Sequence, residues 1–116
     1  MQYLTDSLTF KVDFTADQFR QAEVAQTRQA DDSKARQIYL NMLAVQAVSF
    51  YCECIGVETN LTASDSWDAA MQTLMDVADL EVVGKGKLEC RPLLADDESC
   101  YVPPEALIER LGYIVV

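Results

Sequence analysis

The apolar run between Lys34 and Ile55 constrains the fold of this chain more than any other feature of its sequence. Three good N-cap residues, Asp31 to Ser33, precede the run, and Gly56, a residue typical of helix C-termini, follows it. The apolar side chains cover most of the circumference of a helix, and they are Ile38, Tyr39, Leu40, Met42, Leu43, Val45, Val48, Phe50, Tyr51 and Ile55. A helix that is apolar nearly all round is buried, and one of this length spans about 30 Å. We therefore expect this helix to be the centre of the domain.

The residues before this helix predict a strand and then a surface helix. Apolar and polar residues alternate from Leu8 to Phe14, which is typical of a half-buried strand. Thr15 and Gln18 have the spacing of a capping box, and Phe19 is placed to pack on Phe14 as a hydrophobic staple. The helix that follows, at about 16–29, has a thin apolar face, so we expect it to flank the central helix at the surface.

The second half of the chain predicts mainly strands. A short helix at about 67–75, which Ser66 is placed to cap, precedes a change of apolar period, and the turn Gly84-Lys85-Gly86 then predicts a hairpin. The remaining predicted elements are a strand at Tyr101-Val102, a helical turn at 105–111 after Pro103-Pro104, and a last strand at 112–116. Because the helices come first and most strands later, the predicted fold class is α+β. The predicted architecture is a long central helix with a flanking helix, packed on a small antiparallel sheet, in a single domain 1–116.

The net charge of the chain is −10, and it is unevenly distributed. Residues 1–50 contain six acidic and five basic side chains (net −1), whereas residues 51–116 contain thirteen and four (net −9). Such a surface repels phosphate backbones, so we expect no nucleic-acid partner. The acidic side chains can serve solubility, or they can attract a protein partner with a basic surface. Asp96, Asp97 and Glu98 cluster in one predicted turn.

The sequence also predicts a cytoplasmic protein. The first ten residues contain Asp6 and no apolar run, so they do not resemble a secretory signal. The most apolar stretch, at about 38–55, is interrupted by Asn41, Gln46 and Glu53, and it is too polar for a membrane span. Cysteines in a chain without a signal peptide are typically reduced thiols.

The cysteines Cys52, Cys54, Cys90 and Cys100 have three interpretations. Structural zinc sites usually pair ligands about two to four residues apart in two knuckles. Cys52 and Cys54 would point about 200° apart on a helix, so they cannot easily share one metal ion. Cys90 and Cys100 lie on neighbouring predicted strands, and they are a hypothetical redox pair. The simplest interpretation is that the cysteines fill the core as small apolar residues, and we expect no metal and no other cofactor.

No arrangement of residues in the sequence is typical of an active site. The chain contains no histidine, which removes the commonest general base and the commonest metal ligand. It contains no nucleophile elbow, phosphate-binding loop or dinucleotide fingerprint. Trp67, the single tryptophan, either closes the core or anchors a partner at an interface. We therefore do not expect an enzyme.

Several stretches of the chain resemble a cyanobacterial family known as domain of unknown function 1822. The similar stretches are Lys34–Tyr51, Asp65–Leu80, Gly86–Pro92, Cys100–Pro104 and Gly112-Tyr113. The resemblance implies a cyanobacterial cytoplasmic protein, and it carries no assigned activity and no catalytic residues. Members are usually longer than this chain, which agrees with its end at Val116 inside an apolar strand. The resemblance therefore implies that these residues form the N-terminal part of a longer protein.

The first functional hypothesis is a non-enzymatic protein-interaction module with a regulatory or signalling role. Its basic partner would bind Trp67 and the acidic turn of Asp96, Asp97 and Glu98. One alternative is a redox-responsive domain that uses Cys90 and Cys100. Another is a small-molecule binding or hydrolytic domain with a carboxylate site. An exposed apolar patch would favour the first hypothesis, two sulfurs within disulfide reach the second, and a pocket lined by acids the third.

Overall fold

Three helices and four strands are formed within residues 11–97, 99–107 and 109–116, which are the residues that the computed structural model describes. The helices are α1 (Ala16–Thr27), α2 (Asp32–Cys54) and α3 (Ala69–Leu74). The strands are β1 (Thr59–Asn60), β2 (Asp79–Val82), β3 (Gly86–Arg91) and β4 (Arg110–Val115). The predicted α+β class is confirmed, because a long helix and a flanking helix accompany a small sheet. Within the described residues, no helix is both long and apolar enough to cross a membrane.

The start of α1 is determined by the residues that the sequence predicts. The Thr15 hydroxyl accepts a hydrogen bond from the N–H of Gln18, and the Gln18 side chain accepts one from the N–H of Thr15. This pair is the predicted capping box. The rings of Phe14 and Phe19 pack edge to face with their centroids 5.4 Å apart, so the predicted staple is present as well.

Both ends of α2 also agree with the sequence. The Asp31 carboxylate accepts a hydrogen bond from the N–H of Lys34 and caps the first turn. At the other end, Gly56 has a left-handed φ of 78°, which glycine adopts without strain. The N–H of Val57 then folds back onto the carbonyl of Cys52 at 2.8 Å. Local hydrogen bonds therefore determine where the longest helix begins and ends.

Two apolar clusters hold the helices and the sheet together. The cluster between α1 and α2 consists of Ala22, Ala25, Ile38 and Met42. The cluster between α2 and the sheet consists of Ala44, Val45, Val48, Cys52, Ala78, Leu80 and Cys90. Because α2 contributes to both clusters, it is the central helix of the fold, as predicted. Near its C-terminal end, Phe50 and Tyr51 remain exposed.

The sheet is mixed rather than wholly antiparallel as predicted. Its strand order is β1-β2-β3-β4, and β2 is antiparallel to both of its neighbours, β1 and β3. The last strand, β4, runs parallel to β3. A parallel neighbour requires a long crossover connection, and residues 92–109 provide it. This connection places β4 at an edge of the sheet.

Several short elements differ from their predictions. No strand forms at residues 11–14, and residues 8–10 of the same predicted strand lie outside the described residues. The predicted strand at Tyr101-Val102 is also wrong. The Tyr101 carbonyl accepts a hydrogen bond from Arg91 Nε at 3.1 Å, so a side chain satisfies it instead of a neighbouring strand.

The segments on either side of the hairpin differ as well. The predicted loop at 58–65 contains β1, which pairs with β2. The predicted helical turn at 105–111 is a shorter 3₁₀ turn at Pro104–Ala106, after which the chain enters β4. The last strand therefore begins earlier than its predicted start at residue 112.

Candidate functional site

The sheet has one apolar face and one charged face. Because side chains alternate along a strand, Leu80, Leu88 and Cys90 lie on the face that packs against α2. The alternate positions of β2 and β3 are all charged, and they are Asp79, Glu81, Lys87, Glu89 and Arg91. Asp79 and Glu89 are nevertheless 0% exposed and Arg91 is 3% exposed. Buried charges are stable only when they are paired and hydrogen-bonded, so their partners define the site.

Asp79 and Glu89 occupy directly opposite positions on β2 and β3. Like charges at such positions repel each other unless each carboxylate has its own partners. Glu89 accepts hydrogen bonds from Arg91 Nη1 at 3.1 Å, Arg110 Nε at 3.0 Å and the N–H of Ala78 at 2.8 Å. Two guanidinium groups from different strands therefore compensate one buried carboxylate.

Asp79 has a different set of partners. Its carboxylate accepts hydrogen bonds from the N–H groups of Asp65 at 3.0 Å and Ser66 at 2.7 Å, and Lys87 Nζ lies 3.3 Å from it. The Ser66 hydroxyl donates to the Asp79 carbonyl at 2.7 Å. These bonds explain why the predicted helix cap at Ser66 is wrong. Asp68 caps α3 instead, because its carboxylate accepts the N–H groups of two residues in the first turn of that helix.

Arg91 connects this face of the sheet to the central helix. Its Nη2 lies 3.2 and 3.3 Å from the two carboxylate oxygens of Asp76. Asp76 also accepts a hydrogen bond from Asn41 of α2 at 2.8 Å, and Asn41 accepts one from Gln37. We call Asp76, Asp79, Lys87, Glu89, Arg91 and Arg110 the ionic network.

A cleft of about 800 Å³ lies beside the ionic network. Its walls include four carboxylates, which belong to Asp65, Glu81, Glu105 and Glu109, and we call it the acidic cleft. Three cations also line the cleft: Lys87 and Arg110 are already paired with the buried carboxylates Asp79 and Glu89, and Lys85 is in no ion pair among the described residues. Within the described part of the chain, no cation pairs with Glu81, Glu105 or Glu109. The acidic cleft therefore has a surplus of negative charge.

The protonation of Lys87 bears on what the acidic cleft can do. Partial burial would by itself lower the pKa of the Lys87 ammonium group. The carboxylates of Asp79 and Asp65 outweigh this effect and raise the pKa above its ordinary value. Lys87 is therefore charged at neutral pH and is a poor general base. Its role in the cleft is to compensate carboxylates.

The edge strand β4 adjoins the acidic cleft, because Arg110 and Leu111 belong to both. Gly86, with φ at 140°, allows this contact, since a β-carbon there would lie 3.1 Å from the Leu111 side chain. Leu111, Tyr113 and Val115 are 53%, 46% and 53% exposed. An exposed apolar strip thus continues from the acidic cleft along the edge of the sheet.

The sequence model of one protein family, described as "Protein of unknown function (DUF1822)", matches residues 12–116. The chain belongs to this family. No curated protein and no solved structure matches the chain. The matched residues include the whole ionic network, the acidic cleft and β4, so these features lie within the DUF1822 region.

The cysteines of this DUF1822 chain lie in different environments. Cys52 and Cys90 are buried in the apolar cluster between α2 and the sheet, whereas Cys54 is exposed. Burial raises the pKa of both buried thiols, and the negative charge of Glu89 raises that of Cys90 further. Cys100 lies in an irregular segment, so the predicted cross-strand geometry of Cys90 and Cys100 is absent. All four cysteines are described, and all are free thiols.

Trp67 and Asp97, two of the residues predicted to bind a partner, lie in separate grooves. Trp67 is partly buried and contacts both apolar clusters, and its groove is shared with Val24 of α1. Asp97 lines another groove and accepts a hydrogen bond from the N–H of Leu94 at 2.9 Å. Asp96 is exposed in the turn, and Glu98 lies outside the described residues. Trp67 therefore has the contacts of a residue that closes the core.

Sequence reasoning missed the acidic cleft. The available signal was the alternation of charged residues in β2 and β3, which predicts a second face that is charged rather than apolar. The carboxylates of the cleft come from three distant segments, around Asp65, around Glu81 and at Glu105 to Glu109, so their proximity depends on the fold. Within the part of the chain that the structure describes, no group of three or more metal-ligating side chains is placed to hold a metal ion.

Proposed function

We propose that this DUF1822 chain is a non-enzymatic protein-interaction module that binds a partner with a basic surface at the acidic cleft. One observation carries the proposal, which is the surplus of carboxylates in a cleft beside the exposed apolar strip of β4. Carboxylates that no cation compensates attract a basic surface, and apolar side chains stabilise the complex once it forms. The combination of both in one place is typical of a docking surface.

A cleft lined by acids is the feature expected of the small-molecule or hydrolytic hypothesis, but the chemistry of this cleft favours binding over catalysis. Lys87 is held charged by Asp79 and Asp65, and Arg110 is engaged by Glu89. The chain contains no histidine to act as a base near neutral pH. The ionic network instead provides a rigid support, because each of its buried charges has several fixed partners. A rigid surface loses little conformational entropy when a partner binds.

The proposal is tested by comparing two sets of carboxylates of equal size. The tagged full-length protein is purified from cells of its source organism as the wild type and as two triple variants. One variant is Glu81→Gln, Glu105→Gln and Glu109→Gln in the cleft, and the other is Asp96→Asn, Asp97→Asn and Glu98→Gln in the acidic turn. Quantitative mass spectrometry then measures which proteins are recovered with each.

We expect basic proteins to be recovered with the wild type and the turn variant and to be lost with the cleft variant. The two variants have the same net charge, so a general effect of charge would reduce recovery equally in both. Loss with the turn variant alone would transfer the docking surface to the predicted turn. Equal recovery with all three proteins would mean that the carboxylates serve solubility, and the proposal would be wrong.

A second candidate function is the binding of a small cationic molecule in the same cleft. Its volume of about 800 Å³ favours this candidate, since ligand pockets typically measure about 300–1,000 Å³. Isothermal titration with a polyamine such as spermidine tests it. We would then expect saturable binding of spermidine at one site in the wild type and in the turn variant. Loss of this binding in the cleft variant would favour a small-molecule function.

The other expectations from the sequence stay predictions. These are a redox role for Cys90 and Cys100, a cyanobacterial origin, a cytoplasmic location and a regulatory role. For the redox role, labelling of the native protein with a thiol reagent before and after mild oxidation is decisive. Loss of labelling at Cys100 together with a disulfide-linked Cys90–Cys100 peptide would favour the redox-responsive alternative.

A further inference from the structure

We infer that the open edge of β4 binds an extended basic segment of the partner as an additional strand of the sheet. This inference rests on the proposed function and deepens it, because it names the conformation and the chemistry of the partner. Three features carry it: main-chain groups at an open edge, an apolar strip on that edge, and the charge of the adjoining cleft.

Within the described residues, the main chain of β4 pairs with another strand on one side only. The N–H of Val116 donates to the Arg91 carbonyl at 2.9 Å, and the Val116 carbonyl accepts from the N–H of Leu93 at 2.8 Å. The N–H and the carbonyl of one residue point to the same side of a strand, and successive residues alternate. Ile114 and Val116 therefore face β3, whereas the main-chain groups of Tyr113 and Val115 face the open edge. No described strand lies on that side of β4.

Most of β4 lacks the features by which proteins usually prevent unwanted strand pairing. Such features are short length, proline, lysine, inward-pointing charges and β-bulges. The strand has six residues, and its one inward-pointing charge, Arg110, and its one register shift, between Arg110 and Gly112, both lie at its start. Residues 112–115 contain neither, and they contain no proline or lysine. Its Leu111, Tyr113 and Val115 side chains are about half exposed on one face. An added strand would pair its main chain with Tyr113 and Val115 and pack every second side chain on this strip.

Charge decides which kind of strand fits the edge. Glu109 immediately precedes β4, and Glu81 and Glu105 line the adjoining cleft without a described cation partner. A second copy of this chain would bring another net charge of −10 and a second acidic cleft. Like charges oppose that pairing. A basic segment with alternating apolar residues satisfies the carboxylates and covers the apolar strip at the same time.

The experiment uses the full chain and a synthetic peptide of eight alternating lysine and valine residues with blocked ends. Two control peptides are N-methylated, one at every lysine and the other at every valine. Only one edge of a strand faces β4, so one control loses the donors that β4 needs and the other keeps them. We expect one control to bind about tenfold more weakly than the other, which corresponds to about 1.4 kcal/mol. If charge alone causes binding, both control peptides should bind with the same affinity.

Residue-resolved amide exchange by NMR then locates the contact. In the free protein, we expect the amides of Tyr113 and Val115 to exchange at least tenfold faster than that of Ile114. Saturation with the unmethylated peptide should slow exchange at Tyr113 and Val115 at least tenfold and leave Ile114 unchanged. A matched peptide of alternating glutamate and valine residues should leave the exchange rates of all three amides unchanged.

Two proline substitutions provide the matched test in the protein. Val115→Pro removes an N–H that faces the open edge, where proline is tolerated in a sheet. It should keep the fold and weaken peptide binding about tenfold or more. Ile114→Pro removes an N–H that bonds to β3, so it should lower the unfolding midpoint markedly. If Val115→Pro does not fold, the pair of N-methylated peptides still decides the question with the wild-type chain.

The outcomes separate this inference from the proposed function. Equal binding of both methylated peptides, lost in the Glu81→Gln, Glu105→Gln and Glu109→Gln variant, would overturn the added strand and leave the docking function intact. Binding of the lysine–valine peptide at neither the cleft nor β4 would overturn both. A wild-type dimer with protected Tyr113 and Val115 amides would mean that a second copy occupies the edge, and the inference would be wrong.

Discussion

Both faces of the sheet contain buried side chains, but different interactions stabilise them on each face. On the apolar face, Leu80 and Cys90 pack against α2, and the contact is stabilised by the removal of apolar surface from water. On the charged face, Asp79 and Glu89 are equally buried but are stabilised by hydrogen bonds and ion pairs. Apolar packing has no preferred direction, whereas a buried carboxylate needs donors at defined positions. The apolar face therefore determines that the sheet packs on the helix, and the charged face determines where the surrounding loops lie.

This difference explains where a function can arise. Asp79 fixes the segment at Asp65 and Ser66, Glu89 fixes Ala78 and Arg110, and both segments form walls of the acidic cleft. The ionic network thus positions carboxylates of the cleft, Glu81, Glu105 and Glu109, with which it forms no described ion pair. The apolar face has no comparable consequence, because its side chains end in the core.

The largest effect is expected from breaking the charged face. Glu89→Ala removes the carboxylate that compensates Arg91 and Arg110, which are themselves nearly inaccessible. Breaking a buried ion pair from one side typically costs about 3–5 kcal/mol, and we expect a loss in that range. Chemical denaturation measures it. Glu81→Ala, in the same sheet without a cation partner, is the control and should cost much less.

A somewhat smaller effect is expected from the apolar face. Leu80→Ala creates a cavity at a side chain that is fully buried against α2. Such substitutions cost about 2–5 kcal/mol, and we expect about 3 kcal/mol. The control is Val83→Ala, which lies just beyond β2 and is exposed. A loss at Leu80 that exceeds the loss at Glu89 would reverse the order of the two faces and would mean that water reaches the ionic network.

A pH titration of stability tests whether the Cys90 thiol is buried. This thiol lies on the apolar face, next in sequence to Glu89 of the charged face. Burial and the Glu89 carboxylate raise the pKa of this thiol in the folded state. The unfolded chain releases the thiol proton above a pH of about 8.5, and the folded chain does not. The contribution of this thiol to stability is therefore complete well below that pH and is lost above it, by about 1.4 kcal/mol in total between pH 7.5 and 9.5. Denaturation curves between pH 7.5 and 9.5 measure the slope.

Two cysteine variants identify the source of this slope. Cys90→Ala should reduce the loss of stability between pH 7.5 and 9.5 by about 1.4 kcal/mol. Cys54→Ala, at an exposed position, should leave the slope unchanged. A slope that is the same in both variants would show that Cys90 is accessible to water and that the apolar face is open at this point.

The smallest effect is expected far from both faces, at the acidic turn. Asp96→Asn with Asp97→Asn changes exposed side chains, so the unfolding free energy should stay within about 0.5 kcal/mol of the wild type. Asp97 accepts the N–H of Leu94, and asparagine retains an oxygen that can do the same. A decrease in the unfolding free energy of more than about 1 kcal/mol would mean that the turn stabilises the fold. The difference between substitutions in the ionic network and substitutions at the surface would then be smaller than we expect.

Sequence patterns predicted the elements whose causes are local. The capping box at Thr15, the left-handed Gly56 after α2 and the hairpin around Gly84 each depend on a few consecutive residues. The predictions for Ser66 and Tyr101 were wrong for a common reason. A buried charged side chain from a distant strand, Asp79 in one case and Arg91 in the other, took the hydrogen bonds that a local element would have used.

The sequence by itself determined that one long buried helix would organise the domain, because periodicity and capping act over a few residues and need no other part of the chain. It also determined the family, through a match over residues 12–116. Only the tertiary structure decided that β4 runs parallel to β3 and that Asp65, Glu81, Glu105 and Glu109 share one cleft. The physical reason is that strand direction and charge pairing depend on groups far apart in the chain. Their energies arise only after the chain has closed the loops that bring them together.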